Sequence, residues 1–490
     1  MNNKKTIFIS AYRNVSIRYF LYTDILGQLR KDKNIRIVVF VKDNDVDYYQ
    51  HNLGSDNIIF VPVYYTLSKK ILRSGIENFI YLIRMSLYPY KRGMKNNTGK
   101  IVWRSQTRVR KAGLYGTIYQ FIIRDFLSLP ITFLAERFYL LRRVIVSLES
   151  HLFPGKLYDN YFNEYKPSLL IVSSLGHMID SYIMRAAKRN QCKVLTLFHN
   201  WDNATTKGYK GVHPDHVIVW NESMKNEVKI FHDISEEIIT IFGAAHWDLY
   251  FNGKLKPKTR EEFCEEYGLL KDHKIILFGV AHWSLWPGSL DIIDGLMKQI
   301  VKDRFITPVQ LLVRLHPGWL HLSKNRKKAQ VIDNFDKWLL EIKDQYGKLI
   351  HFKHPNVNVL NDDVDLPLSD LKTLAELIMN SDLLLTQYST LLVEGPILDI
   401  PTINVGLDEF RHTGAKASFY ENCYHINEIM KYEAFKSAYT YDELVHCINY
   451  YLKNPTNEKQ QRRKLVNNMM PMNRGHAGED IGNFLKSLVY

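Results

Sequence analysis

The chain has 490 residues, and at roughly 150 residues per domain it is expected to hold two to four domains. Hydrophobic residues make up 46% and charged residues 24%, which excludes a disordered, collagenous or coiled-coil protein. The net charge is +14, and residues 65–150 alone carry sixteen Lys or Arg against four Asp or Glu, so nearly all the surplus forms one local patch.

Cys192, Cys264, Cys423 and Cys447 are widely spaced, with no CxxC pair. This argues against a disulfide framework or a zinc module and fits a reducing compartment. The first residues are basic and then briefly apolar, too short a run for a signal peptide and better read as a first strand. No stretch reaches the ~18 uncharged apolar residues of a membrane span. The expected location is cytoplasmic, peripheral on the inner face of the membrane.

In chain order, residues 6–10, 35–41 and 58–63 are apolar, β-branched runs of the kind buried in a parallel sheet, and residues 16–30 between the first two have helical spacing. From residue 65 to 165 the pattern turns helical, aromatic and Arg-rich. Residues 113–151 read as one or two long helices broken at Pro130. Packing on the core would explain this segment. An in-plane hold on an anionic membrane would also explain it, with apolar burial adding to charge attraction.

Strand runs resume at 168–173, 193–198, 216–220 and 238–242. A polar segment with Gly253 and Pro257 then marks a domain boundary. Five more runs follow, at 274–278, 310–314, 349–352, 383–386 and 402–405. The expectation is α/β: two facing doubly wound domains with a basic helical insertion in the first. The expected limits are 1–251, 252–475, and a last helical segment, 476–490, packed back on the first domain.

In open α/β sheets ligands bind beyond the carboxyl ends of strands, so candidate residues are sought there. After Leu383-Leu-Leu-Thr, Ser389 and Thr390 open a helix whose amides and hydroxyls suit a phosphate, and Glu394 one turn on suits a ribose diol. Helix capping alone would also explain the two hydroxyls. Arg314 and His316, ahead of Pro317, end a strand and could fork and donate to a phosphate. Gly279, with His282 and Ser284 after it, offers close backbone approach at another strand end. His199 and Asp202, directly after a buried strand, form a potential general base and its orienting carboxylate, although Asn, Asp and Gly here also suit a plain turn. Asp363-Val-Asp365 matches a metal motif by letters but reads as a solvated acidic turn. No GxGxxG, Walker A, HExxH or GxSxG motif is present.

On these residues the chain resembles the GT-B group of nucleotide-sugar-dependent transferases. It looks most like bacterial surface-polysaccharide enzymes related to CDP-glycerol glycerophosphotransferases. The resemblance spans residues 168–406. It implies that Arg314, His316, Ser389 and Thr390 hold the donor's phosphates and that His199 is the base. Here Asn-Trp-Asp-Asn follows His199 where those relatives have Gly-Thr-Pro. Retaining GT-B enzymes often carry two Glu eight positions apart. Position 386 is Thr, eight before Glu394, which favours inversion.

The function expected is thus transfer of a sugar or polyol phosphate from a nucleotide-activated donor to a lipid-linked surface polysaccharide. Neither metal nor cofactor is expected, and no nucleic acid; an anionic membrane is expected to meet residues 65–150. The alternatives are a GT-B-fold nucleotide-sugar epimerase and a non-enzymatic basic membrane or nucleic-acid adaptor.

Overall fold

The computed structural model describes residues 4–72, 75–85, 87, 128–283, 285–286, 288–320, 326–360, 364–408 and 417–490. Half of the basic segment 65–150, together with Ser284 and Asp363, lies outside them. The chain divides into two compact units, Met1–Asp248 with Met470–Tyr490, and Leu249–Met469. The sequence reading set its limits at 252 and 476.

The first unit is built on seven parallel strands: β1 (Lys5–Ser10), β2 (Ile35–Val41), β3 (Ile58–Pro62), β4 (Leu169–Val172), β5 (Lys193–Leu197), β6 (His216–Val219) and β7 (Ile239–Ile241). Their order is β3-β2-β1-β4-β5-β6-β7, so the winding reverses between β1 and β4. The five inner strands, β1, β2, β4, β5 and β6, are buried along nearly all their length, which is why they read as runs rich in Ile, Leu, Val and Phe. The helical stretch foreseen at 16–30 is two helices, Asn14–Leu21 and Asp24–Lys31. Thr23 breaks it by capping the second, its hydroxyl accepting from the Ile25 amide.

The returning C-terminal segment ends in the helix Ala477–Ser487. Asp248, at the end of the first pass, accepts hydrogen bonds from the Ala477 and Gly478 amides at 3.0 and 2.8 Å. Gly482 lets this helix lie against Asp24–Lys31, since a Cβ there would stand 2.6 Å from the Gln28 Cβ.

The second unit has a six-stranded parallel sheet of β8 (Lys274–Gly279), β9 (Val309–Arg314), β10 (Ile350–Lys353), β13 (Leu383–Thr386), β14 (Thr402–Val405) and β15 (Lys436–Ala438). Its order is β10-β9-β8-β13-β14-β15, reversing between β8 and β13. A small antiparallel hairpin, β11 (Asn358–Val359) with β12 (Val364–Asp365), stands apart. Asp365, read as part of a solvated turn, is instead buried in this hairpin, where Asn358 donates to it at 3.2 Å. Among the described residues no group of three His, Cys, Asp or Glu is placed to hold a metal ion.

The described part of the basic segment corrects the expected helix break. The helices are Ser128–Arg137 and Tyr139–Leu152, interrupted at Phe138, whose backbone is extended. Pro130 lies in the first turn of the former, where its missing N–H costs nothing. Two arginines of the supposed patch are internal. Arg142 pairs with Asp233 at 2.7 Å, and Arg84, fully buried, pairs with Glu149, which also holds Arg185. Arg137 and Arg143 remain exposed, beside exposed Phe133, Phe138, Leu140, Val144, Leu148 and Leu152. No helix among the described residues is long and apolar enough to cross a membrane.

Candidate functional site

In the second unit the reversal between β8 and β13 sets Gly279 beside Thr386. Gly279 leaves room for the Leu391 side chain, which a Cβ there would have to displace, since it would stand 2.2 Å from a Leu391 methyl. A hydroxyl chain crosses this point. Thr386 Oγ1 donates to the Gly279 carbonyl at 3.0 Å and lies 2.7 Å from Ser389 Oγ, and Ser389 Oγ accepts from the Leu391 amide at 3.2 Å. Ser389 therefore does cap the helix Leu391–Ile397.

The amides of Leu392 and Val393 are already bonded to the carbonyls of Ser389 and Thr390, so the expected row of free helix amides is mostly consumed. What remains is the turn itself. Tyr388 has φ +44°, a left-handed conformation that swings the next amides outward. Among the described residues the amides of Ser389 and Thr390 donate to no internal partner, and the Thr390 hydroxyl has none either. Glu394 is buried, and the Tyr250 hydroxyl donates to it, so one oxygen of the expected ribose ligand is already engaged.

Arg314 departs from expectation. Its guanidinium, 5% exposed, donates to Asp370 and, at 2.6 Å, to the His354 carbonyl. The fork that could have gripped a phosphate holds β9 to the helix Leu368–Met379 instead. His316, just beyond, does face solvent. Its Nδ1 accepts from the Gly318 amide at 2.9 Å and its ring meets that of His282 edge-on at 5.1 Å. The surrounding protein, and then His282 and Arg314, lower its pKa, so the imidazole is neutral and can donate at Nε2.

In the first unit His199 is buried just past β5. Its Nδ1 donates to the Ser173 carbonyl at 3.2 Å, so the Asn203 side-chain amide, 3.1 Å from Nδ1 and 3.4 Å from Nε2, can donate only to Nε2. That leaves Nε2 as the basic atom. Burial, and then the Arg13 charge, push its pKa down to about 3, against the opposing field of Asp202. Asp202 does not orient this ring by a hydrogen bond: its Oδ2 takes the Thr206 hydroxyl at 2.8 Å and Lys207 at 3.1 Å. Ser173 and Asn203 are the orienting groups.

Sequence reasoning missed a second cluster here. Ser10 ends β1 and Arg13 follows it, and His177 and Asp180 follow β4, at the sheet's reversal. Ser10 donates to Asp180 at 2.7 Å, and Arg13 donates to His177. The only signal was position, at or within eight residues of the end of an apolar strand. The two halves are more than 160 residues apart in sequence and separated by the helical segment.

Two doubly wound α/β units in one chain, each with polar side chains gathered at its sheet reversal, define the GT-B class of nucleotide-dependent enzymes. The model of the CDP-Glycerol:Poly(glycerophosphate) glycerophosphotransferase family matches residues 188–487, more than half of the chain. The chain belongs to that family, and with it to the transferases that use a nucleotide-activated donor.

No curated protein matches at a significant level. Solved structures share the fold at low identity. A glycosyltransferase from Rickettsia africae is 13% identical with a TM-score of 0.50, covering 99% of both chains. S. aureus MnaA in a UDP co-structure is 12% identical with a TM-score of 0.51, covering 98% of this chain and 96% of that one. A UDP-GlcNAc 2-epimerase from Neisseria meningitidis bound to UDP-GlcNAc is 11% identical with a TM-score of 0.52, covering 99% and 100%.

Proposed function

We propose that the protein transfers a sugar or polyol phosphate from a nucleotide-activated donor to a hydroxyl of a growing, lipid-linked surface polysaccharide, with inversion. The observation that carries the donor half is the turn after β13. Two unbonded amides, the Thr390 hydroxyl and the left-handed Tyr388 form a small concave group of donors suited to phosphate oxygens. His316, neutral and solvent-facing, supplies a further N–H, with His282 packed on its ring. These donors stabilise the charge that develops on the leaving nucleotide phosphate, in the role a metal ion plays elsewhere.

His199 Nε2 is proposed to take the proton of the acceptor hydroxyl. A base with so low a pKa is ionised only as the transition state forms, so it acts in concert with attack and not before it. Asp202, held by Lys207 and Thr206, contributes only a field that favours the imidazolium. The exposed apolar flank of Tyr139–Leu152, with Arg137 and Arg143, supports a peripheral hold on an anionic membrane on the cytoplasmic side, where lipid-linked acceptors reside.

The test is product analysis by NMR. Incubated with CDP-glycerol or a UDP-sugar, and then with a saccharide-lipid acceptor, the protein should release nucleotide only when the acceptor is added. His199→Ala should abolish that release. Conversion of the donor to an epimer without acceptor would overturn the reading in favour of an isomerase.

A further inference from the structure

Arg13 stands where the winding of the first sheet reverses, in the loop after β1. Its backbone is fixed: the Arg13 amide donates to Ser16 Oγ at 3.1 Å, and the Ser16 hydroxyl returns to the Arg13 carbonyl at 2.7 Å. Its guanidinium is half-buried, and its one side-chain partner among the described residues is Nε2 of His177, to which Nη1 donates. No carboxylate among the described residues lies within ion-pairing distance of it. A half-buried guanidinium without a counter-charge is well placed to be matched to an anion from solution.

The neighbours deepen the imbalance. His177 accepts from Arg13 at Nε2, so it carries its proton on Nδ1 and is a donor on its other side. Burial, followed by the charges of Arg13 and Lys207, holds its pKa well below the usual histidine value. The carboxyl whose field reaches Arg13 is Asp180, fully buried, with Ser10 on one oxygen and no partner on the other. Burial pushes that carboxyl up to about 7, so it neutralises Arg13 only in part near neutral pH. Gly176 keeps the adjoining backbone in place: a Cβ there would stand 2.2 Å from the Lys207 carbonyl oxygen.

We propose that Arg13, braced by His177, forms an oxyanion subsite beyond β1 and β4 that takes a phosphate group of the acceptor. The free edge of the guanidinium presents a two-pronged donor to two phosphate oxygens, and His177 fixes its plane. That the phosphate belongs to the acceptor rests on the transferase reading; that the subsite binds a phosphomonoester does not. The nucleotide's own phosphates are the other source of the same chemistry.

Isothermal titration of the full chain with glycerol 3-phosphate and, separately, with CDP distinguishes them. Arg13→Gln should weaken glycerol 3-phosphate at least tenfold and leave CDP within twofold. The Ser389→Ala/Thr390→Ala double variant should do the reverse. Should Arg13→Gln fail to fold, Arg13→Lys, which keeps the charge but loses the fork, should still weaken glycerol 3-phosphate severalfold. Equal affinity in wild type and Arg13 variants, or no binding to wild type, would overturn the subsite. Loss of CDP binding in Arg13→Gln would overturn the acceptor assignment. If wild type binds glycerol 3-phosphate through Arg13 but binds no nucleotide, the subsite stands and the transferase reading falls.

Discussion

Arg314 and Asp370 form a buried ion pair that ties the end of β9 to the start of the helix Leu368–Met379. Asp370 also accepts from the Asn356 amide at 2.7 Å, and Arg314 also donates to the His354 carbonyl, so both charges are engaged inside the second unit. Removing one partner would strand the other in a dry site, which costs about 3–5 kcal/mol. Arg314→Ala is therefore expected to lower unfolding stability by that amount in urea titration. Where it still folds, its nucleotide affinity should stay within threefold of wild type. A tenfold affinity loss with unchanged stability would instead make Arg314 a phosphate ligand.

Ser389→Ala removes both the cap of the Leu391 amide and the contact with Thr386. The expected stability loss is about 1 kcal/mol. Thr390→Ala, whose hydroxyl has no internal partner among the described residues, should cost almost no stability while weakening nucleotide binding severalfold. Thermal unfolding with and without nucleotide separates the two effects.

Asp180 gives a pH signature. Its carboxyl is raised in the folded chain, so its contribution to stability is complete below the unfolded-state pKa near 4. That contribution is lost as pH rises through the folded value of about 7. Between pH 5 and 8 the wild type should lose on the order of 2 kcal/mol that Asp180→Asn does not lose. Parallel pH–stability curves for the two proteins would show that Asp180 is ionised throughout.

The exposed flank of Tyr139–Leu152 carries Leu140, Val144 and Leu148 at one-turn spacing, next to Arg143. Arg137→Glu with Arg143→Glu should reduce co-flotation with vesicles of 30% phosphatidylglycerol and leave the melting temperature unchanged. Arg142→Ala should do the opposite, because Arg142 serves Asp233 and not the surface. Equal flotation of the double variant would remove the membrane role.

Most of the sheet architecture was legible because strands buried on both faces must be runs such as Ile35-Arg-Ile-Val-Val-Phe-Val. β15 was not, since a three-residue Lys-Ser-Ala strand carries no apolar signature. Candidate residues were legible as positions after strands, which is how Ser389, His316 and His199 were found. Their partners were not. An Arg at a strand end reads the same in sequence whether it meets a phosphate or Asp370. Asp202, three residues from His199, was a natural orienting group until Lys207 and Thr206 proved to hold it. Arg13 and His177 meet only because β4 is laid beside β1 after the intervening helical segment.

The most direct measurement is a thermal-shift screen of the full chain against CMP, CDP, UDP, GDP and ADP. A ligand that binds only the folded state raises its melting temperature in proportion to ligand excess over Kd. The account predicts a clear rise with one nucleotide family and its loss in the Ser389→Ala/Thr390→Ala variant. No rise with any nucleotide, or a rise that survives in that variant, would contradict it.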